Sequence, residues 1–129
     1  METKAVQERV SELRENFHGR RILLGVDRLD YIKGVPHKIR AFERLLSRYP
    51  QWRDGSVVLI QIGVPSRVEV DEYKKLISQT NEMVAGINGR YGSVDMSPIV
   101  FINQSVSFHD LCALYSVADV CVVTSIRDG

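Results

Sequence analysis

The run Val57-Val-Leu-Ile-Gln-Ile62 constrains the fold of this chain more than any other stretch. A strand with one wet face alternates apolar and polar residues, whereas this run is apolar on both sides of the pleat with one glutamine inside it. Such a strand has to be covered on both faces. Four strands of this kind are expected, at Arg21–Val26, Ser56–Val64, Ile99–Asn103 and Val120–Ser125. The segments around them carry helical spacing instead. Val6, Val10, Leu13 and Phe17 form one stripe that stops at His18-Gly19, where glycine suits a helix end. Ile39, Phe42, Leu45, Leu46 and Tyr49 form a second, closed by Pro50. A third helix opens after Val64-Pro-Ser-Arg67 and buries Tyr73, Leu76, Ile77, Thr80, Val84 and Ile87. The segment Gly86–Gly92, with three glycines, reads as a loop, and Asp54-Gly55 as a turn. Ser107 with Asp110 three residues on resembles a capping box, ahead of Leu111, Leu114 and Ala118.

Strands that alternate with helices specify an α/β fold, a doubly wound parallel sheet in the order three-two-one-four. One domain is expected over residues 1–129, an amino-terminal helix at 1–19 followed by an α/β core at 20–129. The sheet is expected to stop after its fourth strand. Val120, Val122 and Val123 would then border an open edge, and a dimer through that edge or poor solubility follows.

In such a sheet, ligands bind outside the carboxyl ends of the strands, where the strand order reverses between strands one and four. The loops that meet there are Gly25-Val-Asp-Arg-Leu-Asp-Tyr-Ile-Lys-Gly34 and Arg127-Asp-Gly129. Arg28 and Lys33 are two cations beside a helix that opens at Gly34 and Pro36. Unpaired N–H groups and the positive end of the helix dipole add to them. A di-anion such as a diphosphate fits this arrangement. The alternative is that Arg28 and Lys33 pair only with Asp27 and Asp30. Arg67, two residues after Pro65, is a further cation at the mouth of strand two; Glu69 and Asp71 are its local alternatives.

Other chemistry is poorly represented. There is no G-x-G-x-x-G after the first strand and no P-loop. His18, His37 and His109 lie at polar helix ends without a second ligand at metal spacing, so no metal and no cofactor are expected. Asp27 and Asp30 are read as holding the cations of their loop rather than as an acid/base pair. A net charge of +1 offers no field for nucleic acid or an anionic membrane, and no apolar run reaches bilayer length. Cys112 and Cys121 read as small core residues of a reduced, cytoplasmic protein.

The decapeptide Gly25–Gly34 resembles the donor-phosphate loop of the trehalose-6-phosphate synthases, retaining glycosyltransferases with two Rossmann-like domains (the GT-B fold). Val64-Pro-Ser-Arg67, Ile87-Asn-Gly-Arg-Tyr-Gly92, Asn103-Gln104 and Arg127-Asp-Gly129 extend the resemblance in the same order, over roughly residues 20 to 129. It implies the Rossmann-like, carboxyl-terminal half of such an enzyme, working with an amino-terminal acceptor domain that this chain lacks. The implied substrates are UDP-glucose and glucose 6-phosphate, and the products trehalose 6-phosphate and UDP. By the same resemblance Arg28 and Lys33 hold the donor diphosphate and are the catalytic cations. Arg67 holds the acceptor phosphate, the backbone of Val106 meets the uracil, and Asp128 and Gly129 begin the loop that receives the donor glucose. The pair Ser105-Val106 departs from bulkier residues in some members. A non-catalytic regulatory subunit and a GT-B transferase with another donor are the competing readings. The chain by itself is expected to bind UDP weakly and to turn nothing over.

Overall fold

The computed structural model describes residues 4–28, 34–64, 70–93, 96–104 and 106–121. Its elements are α1 (Lys4–Asn16), β1 (Arg21–Arg28), α2 (Gly34–Arg48), a 3-10 turn (Pro50–Trp52), β2 (Val57–Val64), α3 (Val70–Tyr91), β3 (Ile99–Ile102), α4 (Phe108–Val117) and β4 (Val120–Cys121). The four strands form one sheet in the order β3-β2-β1-β4. Every pairing is parallel, with Arg21 opposite Val57, Leu59 opposite Ile99 and Leu23 opposite Val120. This is the architecture expected from the apolar runs.

The double covering of β2 is visible residue by residue. Val58, Ile60 and Ile62 pack with Ile22 and Leu24 against α1 and α4, through Val6, Val10, Leu13, Ala113 and Leu114. Val57 and Leu59 face the other way, against Val35, Ile39, Phe42 and Leu46 of α2 and Leu76 and Ile87 of α3. A strand loaded on both faces is worth roughly 1.5–3 kcal/mol per buried aliphatic side chain, which is why β2 sits inside the sheet rather than at its edge.

Four expectations need correction. Asp27 and Arg28 belong to β1 and not to a loop, because the ladder with β2 continues to Arg28 opposite Val64. Gly86–Gly92 is not a loop either: α3 is helical through Tyr91. Two interior glycines weaken a helix by about 1 kcal/mol each relative to alanine. Burial of Ile87 offsets this, as does the side chain of Asn88, whose Nδ2 donates to the Ile99 carbonyl (3.0 Å) while its Oδ1 accepts from the Ile99 N–H (2.9 Å). Tyr49 is about half exposed rather than packed, since α2 ends at Arg48 and the chain turns there. Cys121 and Val120 are exposed, so Cys121 is not a core residue, whereas Cys112 is half-buried and packs against the α1–α4 core as expected; nothing among the described residues covers the outer side of β4. Both thiols are free.

The helix ends follow local chemistry. Gly19 stops α1 at φ +79°, a conformation that side chains resist. Ser107 caps α4, its Oγ accepting from the Asp110 N–H at 3.1 Å. Among the described residues, no helix is long and apolar enough to cross a membrane.

Candidate functional site at the carboxyl end of the sheet

The strand ends that carry the predicted site residues share one edge of the sheet. Arg28 closes β1 opposite Val64, and its side chain lies outside the described residues. Val106 lies between β3 and α4, half-buried against the α1–α4 core. The parallel topology thus brings the Arg28 backbone and Val106 to the same edge. Lys33, Arg67, Asp128 and Gly129 lie outside the described residues, as do Asp30, Val122 and Val123.

One residue before Arg28, the sheet buries a polar cluster that the apolar patterns had concealed. Asp27 Oδ2 accepts from Lys38 Nζ at 2.7 Å and from Gln61 Nε2 at 2.8 Å. Lys38 is 3 % exposed and Gln61 is fully buried. The described partners of Asp27 come from α2 and β2; the loop cations it is expected to hold, the Arg28 side chain and Lys33, lie outside the described residues. Helical side chains lean toward the helix N-terminus, so Lys38, in the second turn of α2, reaches back to the end of β1.

The amide of Gln61 has one orientation. Its Nε2 serves two acceptors, Asp27 Oδ2 and the Ile62 carbonyl (3.2 Å), and exchanging N for O would lose both. Its Oε1 is buried without a hydrogen-bond partner among the described residues. Gly25 makes room for it: a Cβ there would stand 2.4 Å from Gln61 Oε1 and 3.2 Å from Lys38 Cδ. The first glycine of the decapeptide therefore serves side chains that cross above it.

A signal for this cluster exists in the sequence. Gln61 is the one polar residue in the β2 run, and Lys38 interrupts the stripe Val35, Ile39, Phe42, Leu46 on its own face. Two polar residues breaking two adjoining apolar patterns mark a partnership, because a buried lysine has to be paired.

Beside Val106 lies a groove of about 330 Å³. Its floor is apolar, from Leu13, Ile60, Val100 and Ile102. Arg9, Gln104, Ser107 and Asp110 form a polar rim. Arg9 Nη1 donates to Glu12 Oε1 (2.8 Å) and its Nε to Asp110 Oδ1 (3.1 Å); the bond to Glu12, above all, holds the guanidinium pKa above its ordinary value. An apolar floor with hydrogen-bonding groups at the margin suits a heterocycle. Among the described residues, no three His, Cys, Asp or Glu side chains are grouped to hold a metal.

The sequence matches glycosyltransferase family 20 over residues 1–129. Alpha,alpha-trehalose-phosphate synthase [UDP-forming] A of Dictyostelium discoideum is 52% identical over 129 residues, which are 100% of this chain and 18% of the relative. A trehalose-phosphate synthase structure from Burkholderia xenovorans in complex with glucose-6-phosphate superposes with a TM-score of 0.85 at 33% identity, over 97% of this chain and 28% of that one. An Escherichia coli structure bound with UDP-2-fluoro glucose gives 0.84 at 33% identity, over 95% and 27%. The N-terminal domain of Candida albicans trehalose-6-phosphate phosphatase gives 0.85 at 35% identity, over 96% and 26%. The chain spans about a fifth to a quarter of the length of these proteins' sequences.

Proposed function

The chain belongs to glycosyltransferase family 20, and on that premise we propose that it forms the donor-binding part of a UDP-forming trehalose-phosphate synthase. The reaction moves glucose from UDP-glucose to glucose 6-phosphate with retention and releases trehalose 6-phosphate and UDP. What supports the reading is the likeness, across nearly the whole chain, to a structure bound with UDP-2-fluoro glucose. In that reading Arg28 and Lys33 lie on the donor diphosphate at the end of β1. Charge builds on the diphosphate as the sugar bond breaks, so fixed cations stabilise the transition state more than the ground state. Val106 and the groove beside it receive the uracil, Arg67 the acceptor phosphate, and Asp128 with Gly129 the donor glucose. The site works without metal or cofactor. A GT-B partner domain supplies the rest of the acceptor site, and the protein is cytoplasmic.

The test is made on the complete protein with UDP-glucose, glucose 6-phosphate and, for binding, UDP against uridine. Trehalose 6-phosphate should form, and UDP should bind better than uridine. Arg28→Glu and Lys33→Glu should each abolish that preference. Arg67→Ala should weaken glucose 6-phosphate by about 1.5–3 kcal/mol and UDP-glucose far less, as one lost charge-assisted contact. Uridine binding as well as UDP to the unaltered protein would remove the phosphate role. A preference for ADP or GDP would assign another donor. The likeness to a phosphatase N-terminal domain favours one second reading, a regulatory subunit of the same fold. Binding of UDP without turnover in the complete protein would decide for it.

A further inference from the structure

The geometry points to the Asp27–Lys38–Gln61 cluster as the positioning device of the donor-phosphate loop, an inference that rests on the function proposed above. Lys38 is buried in α2 and Asp27 sits one residue before the end of β1, so their 2.7 Å bond ties the strand to the helix across the segment between them. Gln61 adds a second tie from β2, at 2.8 Å on the same carboxylate oxygen. Three elements therefore converge on Asp27 Oδ2, and the two that flank residues 29–33 are held at one separation. Arg28 and Lys33 lie inside that span in the sequence.

Stability alone does not explain the arrangement. A buried ion pair contributes little relative to apolar residues of the same volume. Here it also leaves Gln61 Oε1 unpartnered and demands a glycine at 25. What the cluster does provide is direction, since a carboxylate fixed by two donors allows only one placement of its strand end against α2. Transition-state stabilisation by fixed cations depends on such placement. Asp27, Lys38 and Gln61 touch no substrate in this scheme; they act through the loop that does.

The complete protein carrying Asp27→Asn with Lys38→Met is the decisive variant, because it removes both charges together and leaves no uncompensated one. It should remain folded, with kcat reduced by about tenfold or more, the KM for UDP-glucose raised and the KM for glucose 6-phosphate within about twofold. Hydrogen exchange should accelerate at the amides of Val26–Arg28 and of Lys38 and Ile39 and stay unchanged in α4. Gln61→Met, which preserves volume and the ion pair, should give the same pattern at smaller amplitude and serves where the double variant does not fold. Kinetics and exchange like those of the unaltered protein, or parallel losses for donor and acceptor, would reduce the cluster to a structural one. If the unaltered protein neither binds UDP nor turns over, the functional reading fails. The exchange experiment still decides whether the cluster clamps the loop ends.

Discussion

The two ends of the sheet handle their polar groups in opposite ways. At the amino end, side chains satisfy backbone. Arg20 donates through Nε to the Gly55 carbonyl (2.8 Å) and through Nη2 to that of Ser97 (3.0 Å), joining the starts of β2 and β3. Arg53 donates to the carbonyls of Leu46 and Ser47, both at 2.6 Å, at the end of α2. Asn88 holds Ile99, and Asp119 Oδ2 accepts from the Ile22 N–H at 2.8 Å. Each of these meets a group that an element's end would otherwise leave unpaired. At the carboxyl end, side chains meet side chains: a buried lysine, an aspartate and a glutamine are gathered at the end of β1. Fastening the amino end takes arginines, an asparagine and an aspartate that each meet backbone. Burying a lysine at a strand end is warranted only where the position of that strand end matters.

The contrast can be broken most severely at Asp27. Asp27→Ala should destabilise the protein by about 3–5 kcal/mol, since it strands a lysine that is 3 % exposed. A loss below about 1 kcal/mol in denaturant unfolding would mean that Lys38 finds water, and the two ends would then be alike. Gly25→Ala comes next, at about 2 kcal/mol, because the new methyl meets the Gln61 amide. Adding Gln61→Ala should recover part of that loss, and a double-mutant cycle without coupling would show that the glycine serves something else. At the amino end, Arg20→Ala should cost about 1.5 kcal/mol for its two carbonyl contacts. It should leave UDP affinity unchanged in calorimetry; a change there would dissolve the division of labour. Ser107→Ala, an ordinary cap at the carboxyl end, should cost about 1 kcal/mol in thermal unfolding. A far larger loss would extend the special character of that end to α4.

Much of this protein was written in local patterns. The doubly apolar run at Val57–Ile62 demanded two covering layers, and the alternation with helices left the order β3-β2-β1-β4 as the usual solution. Ser107 and Gly19 announced their helix ends for equally local reasons, a side-chain acceptor and a positive φ. The decapeptide at residues 25–34 and the family it resembles were legible on residues alone.

What the tertiary structure decided were the outcomes that depend on distant partners. Gly86–Gly92 looked like a loop because glycine disfavours helix locally, yet Asn88 reaches Ile99 and Ile87 reaches the core, eleven or more residues away in sequence. Asp27 looked like a loop residue because its partners, Lys38 and Gln61, lie 11 and 34 residues further on. Cys121 looked buried because its strand is apolar, while burial of β4 depends on what packs beyond it. Periodicity tells which face of an element seeks cover, since that is a property of adjacent residues. Which group supplies the cover, and whether a buried charge meets its counter-charge, depends on the three-dimensional arrangement of elements far apart in the chain.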